Sequence, residues 1–132
     1  MNPVYFETRF AVDPTWDDRP DEFAIVSAHA TTGETWTPLE NAAAHSRLTD
    51  ELRALGVWMR AITGYSPTST HAEPGWAVAI GFDAACDLGR RYLQDAIYFV
   101  RDDALFVSYC DERRGFVSVG AFRERVDLVS SS

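Results

Sequence analysis

Between residues 76 and 82 the chain alternates: Trp76, Val78, Ile80 and Phe82 point one way, and Ala77, Ala79 and Gly81 the other. Period two predicts a strand, and a second face made of very small residues lets another element approach the backbone, as in a central strand. A polar loop over 66–75 precedes it, and Asp83 is placed to cap a helix over 84–93 that buries Ala85, Leu88, Gly89 and Tyr92. On its outer side Asp87 and Arg91 are spaced for a solvated i,i+4 pair.

An earlier and longer helix is announced by Thr37-Pro38-Leu39-Glu40, which reads as a capping box with proline at the first helical position, and Gly56 is its natural stop. Leu48, Leu52 and Leu55 define its buried stripe, and the same period carried backward puts Asn41 and His45 on that stripe. Two polar side chains on a core face must find hydrogen-bond partners or border a cavity. Further strands are predicted over 4–12, 23–28, 57–63, 96–101, 104–109 and 116–122, with Asp102-Asp103 as a hairpin turn. The order ββαββαβββ predicts a single α+β domain over 1–126: a mostly antiparallel sheet with two main helices packed on one face. Residues 127–132 read as a frayed, Ser-rich tail.

Composition narrows the chemistry. The formal charge is −8 and all 12 basic residues are arginine. Lysine Schiff bases, a P-loop lysine and a lysine general base are therefore excluded. The negative charge argues against direct duplex nucleic-acid binding, which depends on cationic neutralisation of phosphates. Cys86 and Cys110 lack paired spacing and read as reduced, buried thiols. No apolar run approaches membrane length and no signal-like N-terminal segment is present, so a cytoplasmic protein with no membrane association is expected.

The motif order resembles the DUF3293 family of small bacterial and phage proteins, which has no assigned function. Ser27-Ala28-His29-Ala30-Thr31 stands where the family has a strand end Thr-Ala-x-Asn-Pro, and Asn41 matches an asparagine early in the first helix. Glu73 matches a glutamate before a strand, and Gln94-Asp95-Ala96-Ile97 matches Gln-Asp-Ala plus an apolar residue. This chain departs from the pattern at Ala30-Thr31, at Gly75 near a usual serine, and at Leu93, where a glycine usually precedes the glutamine. The resemblance implies the fold and candidate positions and supplies no reaction.

His71 and Glu73 put a base and a carboxylate two residues apart on one loop, which makes them the catalytic candidates. Asn41, His45, Arg90 and Gln94 are the ligand-binding candidates. His29, His45, His71 and Glu73 supply donors for a metal, but no HExxH or CxxC spacing supports one, so neither metal nor cofactor is expected. A binding module is favoured, with a polar pocket for a small polar ligand or an acidic face for a protein partner. The alternative is a small enzyme acting on a polar or nucleotide-like substrate. Asn41, His45, Glu73 and Gln94 are expected to converge on one concavity, with His71 and Arg90 at its rim.

Overall fold

The computed structural model describes residues 1–13, 16–29, 37–68 and 72–128. Pro3 at the first helical position and Asn2, whose side chain accepts the Val4 N–H at 3.0 Å, start the chain as a 3-10 turn, Pro3–Phe6. The expected strand over 4–12 is thus shortened to β1, Arg9–Val12. Then come β2 (Glu22–Ser27), α1 (Pro38–Ala54), β3 (Met59–Tyr65), β4 (Ala72–Val78), α2 (Phe82–Arg91), β5 (Ala96–Arg101), β6 (Ala104–Tyr109) and β7 (Val117–Ala121). A second 3-10 turn, Phe122–Arg125, leads into β8 (Val126–Leu128). The described residues form one eight-stranded sheet in the order β7-β6-β5-β2-β4-β3-β1-β8. Its pairs are antiparallel apart from β1 and β8, which run parallel, and the class is α+β.

The first and last strands in that order are joined by a very short link. Laid flat, eight strands would put β7 and β8 about 34 Å apart. The chain passes from Ala121 to Val126 in five residue steps, which reach at most about 17 Å. The sheet must therefore curl until its two edges face each other. Inside the curl lies an aromatic core in which Phe122, from the linking turn, touches Phe10, Trp16 and Phe23. On the outer face α1 and α2 cover Ala24, Val26, Val78, Ile97 and Phe99 with Leu48, Leu52, Ala85 and Leu88. The apolar run in β2 is explained by this: Phe23 and Ile25 face inward, Ala24 and Val26 outward.

α1 starts as its sequence dictates, with the Thr37 hydroxyl accepting the Glu40 N–H and the Glu40 carboxylate accepting the Thr37 N–H, both at 3.1 Å. Its stripe is Ala44, Leu48, Thr49 and Leu52; Leu55 lies beyond the last turn as C-cap and is exposed. α2 starts two residues early, at Phe82, with Gly81 as N-cap, so Asp83 falls inside the first turn and pairs with Arg114 instead of capping. Asp87 also pairs with Arg114, and Arg91 with Glu51, so the expected Asp87–Arg91 pair gives way to contacts with other elements. The largest correction concerns β4. It begins at Ala72, inside the expected polar loop, because its residues 72–78 are paired throughout with β3.

α2 ends in a Schellman motif: Gln94 N–H bonds to Gly89 C=O at 2.9 Å and Leu93 N–H to Arg90 C=O at 3.1 Å. Leu93 takes the left-handed position at φ 59°. That conformation costs a side-chain-bearing residue about 1–2 kcal/mol, and it accounts for the glycine expected here from the family pattern. Leu93 is 43% exposed, so little packing opposes its removal. Leu93→Gly is expected to stabilise the protein by about 1 kcal/mol after the extra freedom of the unfolded glycine is offset. A thermal melt checks this, with a rise of about 3–5 °C for a chain of this size.

β8 extends the sheet into residues 127 and 128, so the tail assigned to 127–132 must be corrected there; 129–132 lie outside the described residues. Arg9 grips Asp127 with two bonds, of 2.8 and 2.9 Å, and the Tyr65 hydroxyl donates to the same carboxylate. Arg9 first, and Tyr65 after it, hold the Asp127 carboxyl down at about 2. A depressed folded value stabilises the fold above the ordinary aspartate range, about 3.9, and the contribution is lost as pH falls toward 2. Amide exchange in β8 is therefore expected to accelerate between about pH 4 and pH 2 beyond that of β5, and Asp127→Asn to remove this pH dependence.

Candidate functional site

The two halves of the sheet separate at one end. β2 pairs with β5 from Glu22 to Ile25 and with β4 from Ala24 to Ser27. Past Ile25, β2 therefore follows β4 and leaves β5. Residues 72–74 of β4 in turn have β3 on one side and no β2 partner on the other, which is where a strand tolerates Pro74. On the inner face at this end lies a cleft of about 320 Å3. It continues the inner core, with Phe10, Ile25 and Ile62 shared between the two.

Register sets its walls. Phe10, Gly64 and Glu73 lie across β1, β3 and β4 in one row, and Ile62, Gly75 and Ser27 across β3, β4 and β2 in the next. Ala96 and Tyr98 line it from β5, and Asn2, Val4, Tyr5 and Thr8 from the N-terminal segment. That segment is held over the cleft by the Tyr98 hydroxyl, which donates to the Tyr5 carbonyl at 2.8 Å, and by Arg125, which donates to the Phe6 carbonyl at 2.5 Å. The two bare positions have different causes. A Cβ on Gly75 would stand 2.4 Å from the Val26 carbonyl oxygen, so close approach of β2 demands glycine. A Cβ on Gly64 would meet Thr8 and Phe10 at 3.5 and 3.7 Å, ordinary contact distances.

Glu73 is, among the described residues that line the cleft, the one with a formal charge. Burial first, then Asp95 and Glu73, push the Tyr5 phenol up to about 12; burial likewise raises Tyr98. Both phenols are neutral donors at physiological pH. Tyr98 stands edge-on to Phe10 (ring centres 5.1 Å, 87°) and to Tyr5 (6.3 Å, 70°).

Gln94 closes the split between β2 and β5. Its Nε2 donates to the carbonyls of His29 and, at 3.1 Å, of Tyr92, and its Oε1 faces the Ser27 hydroxyl at 3.5 Å. It is 7% exposed, so these bonds replace water. The side chain that follows the Schellman turn thus ties the exit of α2 to the exit of β2.

Glu73 and Gln94 share the cleft; Asn41, His45 and Arg90 do not line it. His71 lies outside the described residues, as do Ala30 and Thr31. Asn41 is half-buried on α1, on the outer side of the sheet. His45 stacks on Trp76 (6.0 Å, 10°), and burial, then His29, lowers its pKa. The Nδ1 atoms of His29 and His45 are buried with no hydrogen-bond partner among the described residues. Arg90 is exposed on α2. The described residues contain no cluster of three metal-ligating side chains, and no helix among them is long and apolar enough to cross a membrane. Sequence reasoning missed Tyr5, Tyr65 and Tyr98. The available signal was Tyr98 beside Ala96 on one face of a period-two strand, a hydroxyl that needs a partner or a cavity.

A family model described as protein of unknown function (DUF3293) matches residues 26–97, more than half of the chain. The chain belongs to the DUF3293 family. The match runs from the part of β2 where the split begins to the start of β5 on its other side, and contains Ser27, Glu73 and Gln94. Tyr5 and Tyr98 lie outside it. No curated protein and no solved structure matches this DUF3293 chain.

Removing the Gln94 amide leaves buried partners on both sides of the split without their bonds. Gln94→Ala is expected to destabilise the fold by about 2 kcal/mol, the sum of its modest net bonds and the unpaired carbonyls left behind. Urea unfolding measures this; a change below about 0.5 kcal/mol is what an exposed, unengaged amide would give.

Proposed function

We propose that this DUF3293 protein is a binding module whose cleft, between β3, β4 and β5, takes a small ligand. The observation that carries this reading is Gly64. Its backbone needs no glycine and a Cβ would meet only ordinary contacts, yet the position is bare and the cleft beside it open. Elsewhere on the inner face the corresponding positions are filled by Phe10, Ile62 and Ala77. The cleft lies at the small end of the range for ligand sites, a few hundred Å3. Its apolar rings would hold a compact body while Glu73, the phenols and Ser27 orient a polar group.

A thermal-shift screen against small molecules tests the proposal, since a ligand at 100 times its Kd stabilises by about 2.7 kcal/mol. Gly64→Val, which suits a strand and adds bulk beside the cleft, is expected to fold, with its ligand-free melt as the check. It is expected to abolish the ligand-induced rise. A response that persists in Gly64→Val places binding elsewhere.

A further inference from the structure

We infer that the N-terminal turn is a hinged lid which swings aside to admit ligand to the cleft, latched by Tyr98 and Arg125; this rests on the reading of the cleft as a ligand site. The walls of the cleft differ in how they are held. Phe10, Ile25, Ile62, Gly75 and Tyr98 line it from β1 to β5, and each sits in a paired strand of the one sheet. Such a wall moves only if a backbone ladder opens. A further wall is made by Asn2, Val4, Tyr5 and Thr8, which precede the ladder: pairing of β1 with β3 begins at Arg9 and Tyr65.

The turn is built to move as one piece. Asn2 Oδ1 accepts the Val4 N–H at 3.0 Å, and the Val4 carbonyl accepts the Glu7 N–H at 3.1 Å and the Thr8 hydroxyl at 3.0 Å. The Tyr5 N–H bonds to the Asn2 carbonyl at 3.2 Å, so these bonds close on the turn itself. None of Pro3–Phe6 is buried. Few buried contacts and no ladder mark a segment that opens before the rest of a fold. Two bonds from the body grip its carbonyls, Tyr98 to Tyr5 at 2.8 Å and Arg125 to Phe6 at 2.5 Å. Arg125 is steadied by the Val119 carbonyl at 3.3 Å. Just past the hinge, Arg9 is pinned by Asp127 and by the Glu124 carbonyl at 3.2 Å. The chain is thus fixed from Arg9 onward and tethered at two points before it. Each tether is modest in net strength, so together they hold the lid shut most of the time without sealing it. Thr8, at the hinge, stands beside the bare Gly64, where a Cβ would lie 3.5 Å from its methyl group.

Alkylation of Gly64→Cys by the neutral reagent iodoacetamide tests the inference without a ligand, so it reads the lid alone while the small-molecule screen reads the site. A melt checks its fold, and Ser66→Cys, also in the lining, takes its place if it does not fold. The native Cys86 and Cys110 are buried on the outer face and report opening of the whole fold. Lid motions are fast against alkylation, so the rate follows the open fraction. The introduced thiol is expected to react at least about tenfold more slowly than glutathione. Tyr98→Phe, which keeps the ring, is expected to speed it about fivefold, and Arg125→Met about tenfold because its bond is charge-assisted. Cys86 and Cys110 are expected to keep their rates. A thiol as reactive as glutathione overturns the inference, since the cleft then stands open without any motion. So does a slow thiol indifferent to both latch variants, or an acceleration matched by Cys86 and Cys110, which marks global unfolding. Each of these leaves the cleft as a ligand site, whose own failure is a screen response that survives Gly64→Val.

Discussion

The short passage from β7 to β8 governs the architecture. Five residue steps must join the two outermost strands of an eight-stranded sheet, and a flat sheet is about twice too wide for them. Phe122 sits in that passage and is buried against Phe10, Trp16 and Phe23, which come from distant parts of the chain. The same residues that shorten the path therefore fill the space the curl encloses. A sheet packed on its outer face by two helices and on its inner face by its own aromatics has no solvent-facing middle, which explains why β2 is apolar at successive positions.

The curled sheet does not keep every neighbour paired along its full length. Between β2 and β5 pairing stops at Ile25 and Tyr98, and the gap is bridged by side-chain chemistry in place of a backbone ladder. Gln94 serves there because an amide both donates and accepts, and the exits of α2 and β2 present carbonyls and a hydroxyl. Its position is fixed by the turn before it. The Schellman reversal swings the chain out of α2 at Leu93, and a left-handed residue at that point aims the next side chain back at β2. The cleft, the amide bridge and the strained leucine are three aspects of one solution.

The split also explains the charge pattern. Glu73 lies where β4 has a neighbour on one side only and is half-buried, so part of it reaches water. Deeper along the same face, beside Ala77 and Ile62, an ionised group would have no such access and its desolvation would be prohibitive. The chain's arginines are drawn mostly into ion pairs: Arg9 of β1 with Asp127 of β8, Arg19 and Arg123 with Asp103 in the β5–β6 turn, and Arg114 with Asp83 and Asp87 of α2.

Local chemistry alone determined a good part of this protein. The capping box at Thr37, the stop at Gly56, the period-two alternation around Trp76 and Val78, the Asp102-Asp103 hairpin and the residues of α2 that face the sheet were legible because each depends on neighbours a few positions away. Glu73 and Gln94 were legible as candidates because a carboxylate and an amide at element ends need partners. What the sequence could not fix was anything that depends on which strands meet. β4 reached back to Ala72 because β3 lay beside it, and β8 formed because Arg9 and Tyr65 waited for Asp127. Asn41 and His45 were placed by helical period on a buried stripe, but the period cannot say which side of a sheet that stripe will cover. The stripe lies on the outer face and the cleft on the inner one, and only the curl decided that.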